Sequence, residues 1–174
     1  MNLKQHLIDR GVDFNIHQPI LTEDEAYFLL YNLSGQIVGY QKYNPTYPSR
    51  GTNNRQTRDR RYYNYVTSGQ IGVFGLESYS LNTRVVFVVE GVFDACRLTR
   101  RGVCALAMLT NDPSSSMKNF LLGLGKTLVA ICDNDKSGNK LRRAAHYSET
   151  VIGAKDLGDS PEEYVSFLIK KYNN

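Results

Sequence analysis

The sequence predicts an α/β protein in which a mostly parallel sheet with helices on both faces follows a small α+β subdomain. From residue 83 onward, apolar runs of strand length alternate with segments of helical length, a pattern typical of parallel sheets covered by helices. The run Val85–Val89 contains only β-branched and aromatic residues, which indicates a strand buried on both faces. Before residue 83, shorter alternations surround turn residues. We therefore divide the chain into residues 1–82 and 83–174.

The second part is predicted to contain four strands and four helices. The strands are Val85–Val89, Val103–Met108, Thr127–Cys132 and Thr150–Ile152. The helices are Phe93–Arg101, Pro113–Leu122, Ser137–Tyr147 and Ser160–Tyr172. Pro113 and Pro161 suit the first turn of a helix, and Asp112 and Ser160 suit the capping position that precedes it.

The first part is predicted to contain a short helix, a hairpin and a long loop. The helix covers Met1–Gly11, and the hairpin pairs a strand within Glu23–Leu33 with Gln36–Gln41 across a glycine-containing turn. The segment Asn44–Asp59 is rich in Pro, Asn, Gly and Arg and shows no periodicity, so we interpret it as a functional loop. A short extended piece is expected at Arg60–Tyr65.

Composition excludes several classes of protein. Three cysteines lie far apart without a CxxC pair, which disfavours a structural zinc site and favours small core residues in a reducing compartment. We find neither the apolar core of a signal peptide nor an apolar run of the roughly 20 residues that a membrane span needs. We therefore expect a cytoplasmic protein without a membrane partner.

Positive charge is concentrated in one stretch, although the net charge of the chain is only +4. Between Lys42 and Tyr65 six basic residues face the single acid Asp59, and tyrosines follow them directly. Proteins bind single-stranded nucleic acid with cations that contact its phosphate backbone and with aromatic rings that stack on its bases. A solvated loop with tyrosines packed on the core is the alternative interpretation.

Carboxylates end two of the predicted strands. Glu90 follows Val85–Val89, and Asp133 and Asp135 follow Thr127–Cys132. The carboxyl ends of strands are where open α/β sheets place ligands, and carboxylates without His or Cys suit Mg²⁺ or Mn²⁺. The alternative, in which these acids cap helices on a solvated rim, stays open from the pattern alone.

Three segments resemble motifs of the Toprim domain family. Glu90–Asp94 with Leu98 resembles its EGxxDxxxL motif, and Asp133–Gly138 resembles its DxDxxG motif. Lys155–Tyr164 is similar to the KD-containing segment of the bacterial and phage DNA primase (DnaG-type) branch. The resemblance implies a Toprim fold and a divalent metal, Mg²⁺ or Mn²⁺, with no zinc. It implies catalytic metal ligands at Glu90, Asp133 and Asp135, supported by Asp94 and Asp156.

The first part resembles the segment that precedes Toprim in primases. Leu30–Tyr40 is similar to a primase hairpin, Arg61–Asn64 to a basic-Tyr-Leu-Asn piece, and Gly72–Leu76 to a YGL-type connection. The resemblance implies a catalytic core that makes short RNA primers from NTPs on single-stranded DNA. The residues expected to contact nucleic acid or nucleotide are Arg50, Arg58, Arg60, Arg61, Tyr62, Asn64 and Lys155.

Two other functions remain open, as do the partners. A Toprim nuclease would use the same acids to cleave DNA or RNA, and a non-catalytic accessory protein of replication would only bind nucleic acid. The sequence shows neither a zinc ribbon nor a helicase segment, so we expect a stripped core, phage- or plasmid-encoded, in the cytoplasm of a bacterial host. A helicase or a separate zinc module is the expected partner.

Overall fold

The structure is a computed structural model that describes residues 1–48, 60–110, 112–134 and 138–173. It contains two four-stranded sheets, and the chain forms the first sheet before it begins the second. Within these ranges the α-helices are α1 (Leu3–Asp9), α2 (Val92–Thr99), α3 (Ser115–Gly123) and α4 (Glu162–Asn173).

The first sheet is antiparallel, with its strands in chain order. The strands are β1 (Ile20–Leu21), β2 (Ala26–Tyr31), β3 (Ile37–Tyr43) and β4 (Tyr62–Val66). The hairpin of β2 and β3 confirms the expected pairing, and β4 lies at the edge of the sheet beside β3. Along β2 buried and half-buried residues alternate, so one face of this sheet packs on the core.

The second sheet is entirely parallel, in the order β6-β5-β7-β8. Its strands are β5 (Val85–Val89), β6 (Cys104–Ala107), β7 (Thr127–Cys132) and β8 (Tyr147–Thr150). The apolar runs of β5 and β7 are almost completely buried because both faces of the sheet are covered. The predicted α/β class, with helices on both faces, is confirmed.

Two hydrophobic clusters cover the two faces of the second sheet. One contains Phe87 and Val129 of the sheet, Leu98 of α2 and Leu168 of α4, and it extends to Phe28 of the first sheet. The other packs alternate residues of the same strands against α3 and the segment after β7. Because the first cluster contains side chains from both sheets, they share one core. The boundary between residues 82 and 83 stays a prediction.

The helix predicted at Ser137–Tyr147 is wrong. The described part of this segment contains a short 3₁₀ helix, Gly138–Ala144, and β8 begins at Tyr147. The strand predicted at Thr150–Ile152 therefore lies earlier in the chain, at Tyr147–Thr150. His146 explains the difference, since its backbone N–H donates to the Leu128 carbonyl and its Nδ1 accepts from the Leu128 N–H. Pairing with β7 therefore overrides local helix propensity.

The start of α3 also differs from the prediction. Ser114, rather than Asp112, occupies the capping position, and its hydroxyl accepts from the Met117 N–H at 3.2 Å. The three cysteines are buried and unpaired, as the composition indicated. Within the described residues, the search for helices that could cross a membrane finds none that is long and apolar enough.

Candidate active site

Two carboxylates lie at the same edge of the second sheet. Glu90 directly follows β5 and Asp133 directly follows β7. These strands are neighbours in parallel register, with Val88 opposite Ala130, so their carboxyl ends meet at one edge. Gly91 then caps α2 and turns the chain away from the sheet. The predicted convergence of Glu90 and Asp133 therefore follows from the topology.

The loop that carries Lys155 and Asp156 is attached to the same edge. The backbone N–H of Asn134 donates to the Lys155 carbonyl oxygen at 2.9 Å, which brings this loop beside Asp133. Arg97 of α2 holds its other end, because its guanidinium donates to the carbonyl oxygens of Gly158 at 2.7 Å and Ser160 at 2.9 Å. The loop is thus fixed at both ends to elements that also carry the acids.

Asp94 links the turn after Glu90 to the loop that carries Asp156. Its side chain is only 7% exposed, and its two oxygens accept from the backbone N–H groups of Gly91 at 3.2 Å and Gly158 at 2.7 Å. Burial, followed by the negative charges of Asp156 and Asp133, raises the pKa of Asp94 to about 7. Several carboxylates are therefore close enough to repel one another.

The opposite wall of the site comes from α1 and the first sheet. Arg10 follows α1, and alternate residues of β4, Tyr62 and Asn64, face the acids with Gln41 of β3. Gln41 Nε2 donates to Asn64 Oδ1 at 2.7 Å, and Asn64 Nδ2 approaches the Leu109 carbonyl oxygen at 3.5 Å. Together the two walls enclose a cleft of about 470 Å³.

Arg10 is held in a fixed orientation. Its Nη1 donates to the hydroxyl oxygens of Tyr43 at 3.3 Å and Tyr62 at 3.2 Å, and its guanidinium lies 3.7 Å from the centroid of the Phe93 ring. Burial opposes its charge, but the phenol oxygens outweigh burial and raise the pKa of Arg10 further, so it stays cationic. The cleft therefore places one oriented cation opposite the carboxylates.

Leu109 sits at the floor of the cleft in a left-handed conformation, with φ of +58°. No other non-glycine residue in the described ranges has a positive φ. Its N–H donates to the Glu90 carbonyl oxygen at 2.9 Å, and its own carbonyl oxygen accepts from Asn64 Nδ2. Backbone strain of this kind concentrates at functional sites, and here it joins the acidic wall to the first sheet.

The donor chemistry of the cleft fits a hard divalent cation. Glu90, Asp133 and Asp156 line it with oxygen donors, and among the described residues neither a histidine nor a cysteine lines it. After burial, the negative charges of Asp156 and Asp133 also raise the pKa of Asp94, and a bound cation would offset this repulsion. Over residues 1–48, 60–110, 112–134 and 138–173 no group of three possible ligand side chains forms a complete metal centre. Asp135 lies outside the described residues.

Only some of the other predicted site residues line the cleft. Tyr62, Asn64 and Lys155 line the cleft. Arg60 is exposed, and Arg61 donates from Nε to the Tyr47 carbonyl oxygen at 3.2 Å instead of lining it. The remaining two, Arg50 and Arg58, fall outside the described residues.

Sequence reasoning missed Arg10, Gln41 and the backbone of Leu109. The only available signal for Arg10 was its position at the end of a predicted helix, before a glycine. That signal does not reveal that α1 packs against Phe93 and points Arg10 across the cleft. Gln41 looked like one polar residue in a strand, and only the pairing of β3 with β4 brings it beside Asn64.

No family model matches the sequence, and no curated protein is significantly similar to it. Solved structures do match. The catalytic domain of a DnaG primase bound to single-stranded DNA has a TM-score of 0.64 and 16% identity, over 97% of this chain and 58% of that one. The Aquifex aeolicus primase, with its zinc-binding and RNA polymerase domains, has a TM-score of 0.69 and 16% identity, over 97% and 54%.

A phage protein matches over more of its own length. The primase fragment of the bacteriophage T7 primase-helicase has a TM-score of 0.62 and 11% identity, over 96% of this chain and 73% of that one. The chain therefore has the fold of DnaG-type primase catalytic cores, as the motif resemblance implied. It spans a little over half the length of the first two structures, so the activity has to be argued from the site.

Proposed function

We propose that this chain is the catalytic core of a primase-type nucleotidyltransferase, which joins ribonucleotides into a short primer on single-stranded DNA. The observation that carries the proposal is the cleft, where carboxylates at two strand ends face an oriented arginine in a protein with this fold. Primer extension forms a bond between a 3′ oxygen and the α-phosphorus and releases pyrophosphate. A site for it must accept a highly anionic nucleotide, and these two walls together can do so.

The acids would hold Mg²⁺. Glu90, Asp133 and Asp156 line the cleft, and Asp135 completes the expected set from outside the described residues. When bound, the ion neutralises charge on the polyphosphate and makes the α-phosphorus more electrophilic. Asp94 contributes by position, because its two backbone hydrogen bonds fix the turn after Glu90 against the loop that carries Asp156.

The cations and the aromatic wall would bind the nucleotide. Lys155 is exposed at the acidic edge and Arg10 faces it across the cleft, so the polyphosphate can meet positive charge on both sides. Arg10 needs no rearrangement to do this, since two tyrosines and Phe93 already orient it. Tyr62, 36% exposed, offers a ring on which a base can stack.

The proposed partners are single-stranded DNA and NTPs, with a helicase or a separate zinc module as a further partner. Among the similar structures, one is a DnaG primase catalytic domain bound to single-stranded DNA. Another contains primase domains of two bacteriophage T7 gp4 subunits bound to an RNA/DNA hybrid.

The test is one incubation of the protein with a single-stranded DNA template, labelled NTPs and Mg²⁺, read on a denaturing gel. New short oligoribonucleotides are expected. Glu90→Gln and Asp133→Asn should reduce their yield by at least about 100-fold, because each removes a charge that a cation needs. Glu23→Gln and Asp24→Asn make the same changes on exposed acids outside the cleft and should leave the yield unchanged.

Two results would contradict the proposal. Shortened template in place of new RNA would indicate the nuclease that the same acids also suit. Full synthesis by the Asp133→Asn and Glu90→Gln variants would remove the acidic wall from the reaction. Circular dichroism and urea unfolding of each variant must show an intact fold before the yields are compared.

A further inference from the structure

The first sheet has a second face that takes no part in the cleft. On β2 the buried residues Ala26, Phe28 and Leu30 belong to the shared core, so the residues between them point the other way. Tyr27 is one of these, and the register places Tyr40 and Lys42 of β3 beside it. We call this the outer face, and its members are Tyr27, Tyr40, Lys42, Arg61, Tyr63 and Tyr65.

Four tyrosine rings form one continuous group on the outer face. Tyr40 is central, with its ring centroid 5.4 Å from Tyr27, 6.5 Å from Tyr63 and 5.5 Å from Tyr65. None of the four belongs to either hydrophobic cluster. Cross-strand aromatic pairs stabilise sheets on their own account, which explains why the rings touch.

Sheet stability does not explain why the group ends at the open edge. Tyr65 lies on β4, which pairs with no further strand among the described residues, and 47% of its surface is exposed. Exposed sheet edges ordinarily carry charged residues that prevent unwanted pairing. An aromatic edge with an exposed ring indicates a surface that receives something flat and apolar.

The charges around the rings are mostly positive. Arg61 is held to the Tyr47 carbonyl oxygen, and Lys42 lies 5.5 Å from the centroid of the Tyr47 ring. Glu25 offsets part of this charge, because it pairs with Lys42 at 2.8 Å and accepts from the Tyr27 hydroxyl at 2.6 Å. Exposed Arg60 lies two residues before the start of β4. Rings bordered by cations are complementary to a ligand with flat bases and a charged backbone.

We propose that the outer face binds single-stranded nucleic acid by stacking bases on Tyr40, Tyr63 and Tyr65. An aromatic sheet face used in this way is a general solution to binding unpaired strands. Side chains alternate along β4, so Tyr62 and Asn64 face the cleft while Tyr63 and Tyr65 face outward. The edge at β4 therefore connects the outer face to the cleft. A template strand that passes around this edge contacts both surfaces. The inference rests on the proposed function only for the identity of that strand as template.

The test is the affinity for fluorescein-labelled oligothymidylate, measured by anisotropy, with oligouridylate of equal length as a second arm. Tyr65→Leu and the double variant Tyr63→Leu/Tyr65→Leu keep apolar bulk but lose the stacking ring. We expect the dissociation constant to rise about 5- to 100-fold for each stacked base that is lost. Tyr65→Phe keeps the ring and should bind with the affinity of the wild type. Tyr147→Leu changes a tyrosine on β8 that is 56% exposed and should have no effect.

Several outcomes would overturn the inference. Unchanged affinity in both leucine variants would do so, as would equal loss in Tyr65→Phe and Tyr65→Leu. Binding that responds to salt but not to the tyrosines would assign the affinity to charge alone. A loss of binding to a partner protein, with oligonucleotide affinity unchanged, would make the face a protein interface.

The inference and the proposed function fail separately. Absence of primer synthesis by the wild type, with tyrosine-dependent oligonucleotide binding, would contradict only the proposed function. Normal synthesis with tyrosine-independent binding would contradict only the outer face.

Discussion

Replacement of Arg10 by methionine tests the cation that the cleft holds in place. The change removes two hydrogen bonds to Tyr43 and Tyr62, at about 1 kcal/mol each, and a contact with Phe93 at about 0.5–1 kcal/mol. Tyr43 keeps His6 as a partner at 2.8 Å, and Tyr62 can reach water. We therefore expect the free energy of unfolding to fall by about 2–3 kcal/mol, measured by urea denaturation.

The effect on synthesis should be larger than the loss of stability implies. A charge-assisted hydrogen bond to phosphate contributes about 1.5–3 kcal/mol, so kcat/KM for the NTP should fall about 10- to 150-fold at a temperature where the variant is folded. Arg10→Lys keeps the charge but cannot bond both phenols, so it should recover part of the rate. Arg143→Met, on an exposed residue, is the control for both measurements.

His6 provides an independent reading of the same change. Burial and then the charge of Arg10 lower the pKa of His6. The pKa of His6, measured by NMR titration of its imidazole resonances, should therefore be higher in Arg10→Met than in the wild type. It should be unchanged in Arg143→Met. Wild-type stability together with an unchanged kcat/KM for Arg10→Met would refute the role assigned to this residue.

Two further predictions concern the fold. Gly75 has φ of +95°, and a side chain there would overlap the Ala105 carbonyl oxygen, so Gly75→Ala should lower the unfolding free energy by at least about 3 kcal/mol. Gly125→Ala, at φ of +63° with open space around it, should cost about 1 kcal/mol, and equal losses would contradict the steric argument. Burial tends to raise the pKa of Glu149, but hydrogen bonds from Lys171 and Tyr172 outweigh it, and the pKa is lowered. The stability that this carboxylate adds is present above pH 4.5 and lost as the pH falls through the lowered value. Glu149→Gln should therefore flatten the stability profile between pH 6 and pH 3, and parallel profiles for variant and wild type would count against it.

The sequence was most informative where local pattern and tertiary structure agree. The bounds of β5 and β7 match the prediction because an unbroken run of apolar β-formers suits only a doubly covered strand. The edge where Glu90 and Asp133 meet then follows from parallel topology. The segment after Asp133 misled the prediction, because pairing of His146 with Leu128 starts a strand where local propensity favoured a helix.

The first half of the cleft could not be predicted in the same way. Arg10 and Gln41 enter it through contacts between elements far apart in sequence, and no local pattern encodes such contacts. The sequence pattern predicts one nucleic-acid surface for the tyrosines and arginines after residue 59. In the structure, strand alternation sends Tyr62 to the cleft and Arg61 to the opposite face. The periodicity was visible in the sequence, but which residue faces the cleft was not.

The hydrogen bond between the Asn134 N–H and the Lys155 carbonyl oxygen brings together two residues that are distant in sequence. The described residues between them, 138–154, include the short 3₁₀ helix and β8, and they lead away from Asp133 and back to the loop that carries Asp156. Arg97 and Asp94 hold this loop in place. The position of Asp156 is therefore fixed in part by contacts with α2. For the same reason the exposed turn at Ile152–Gly153 is a suitable place to insert a tag or a reporter domain.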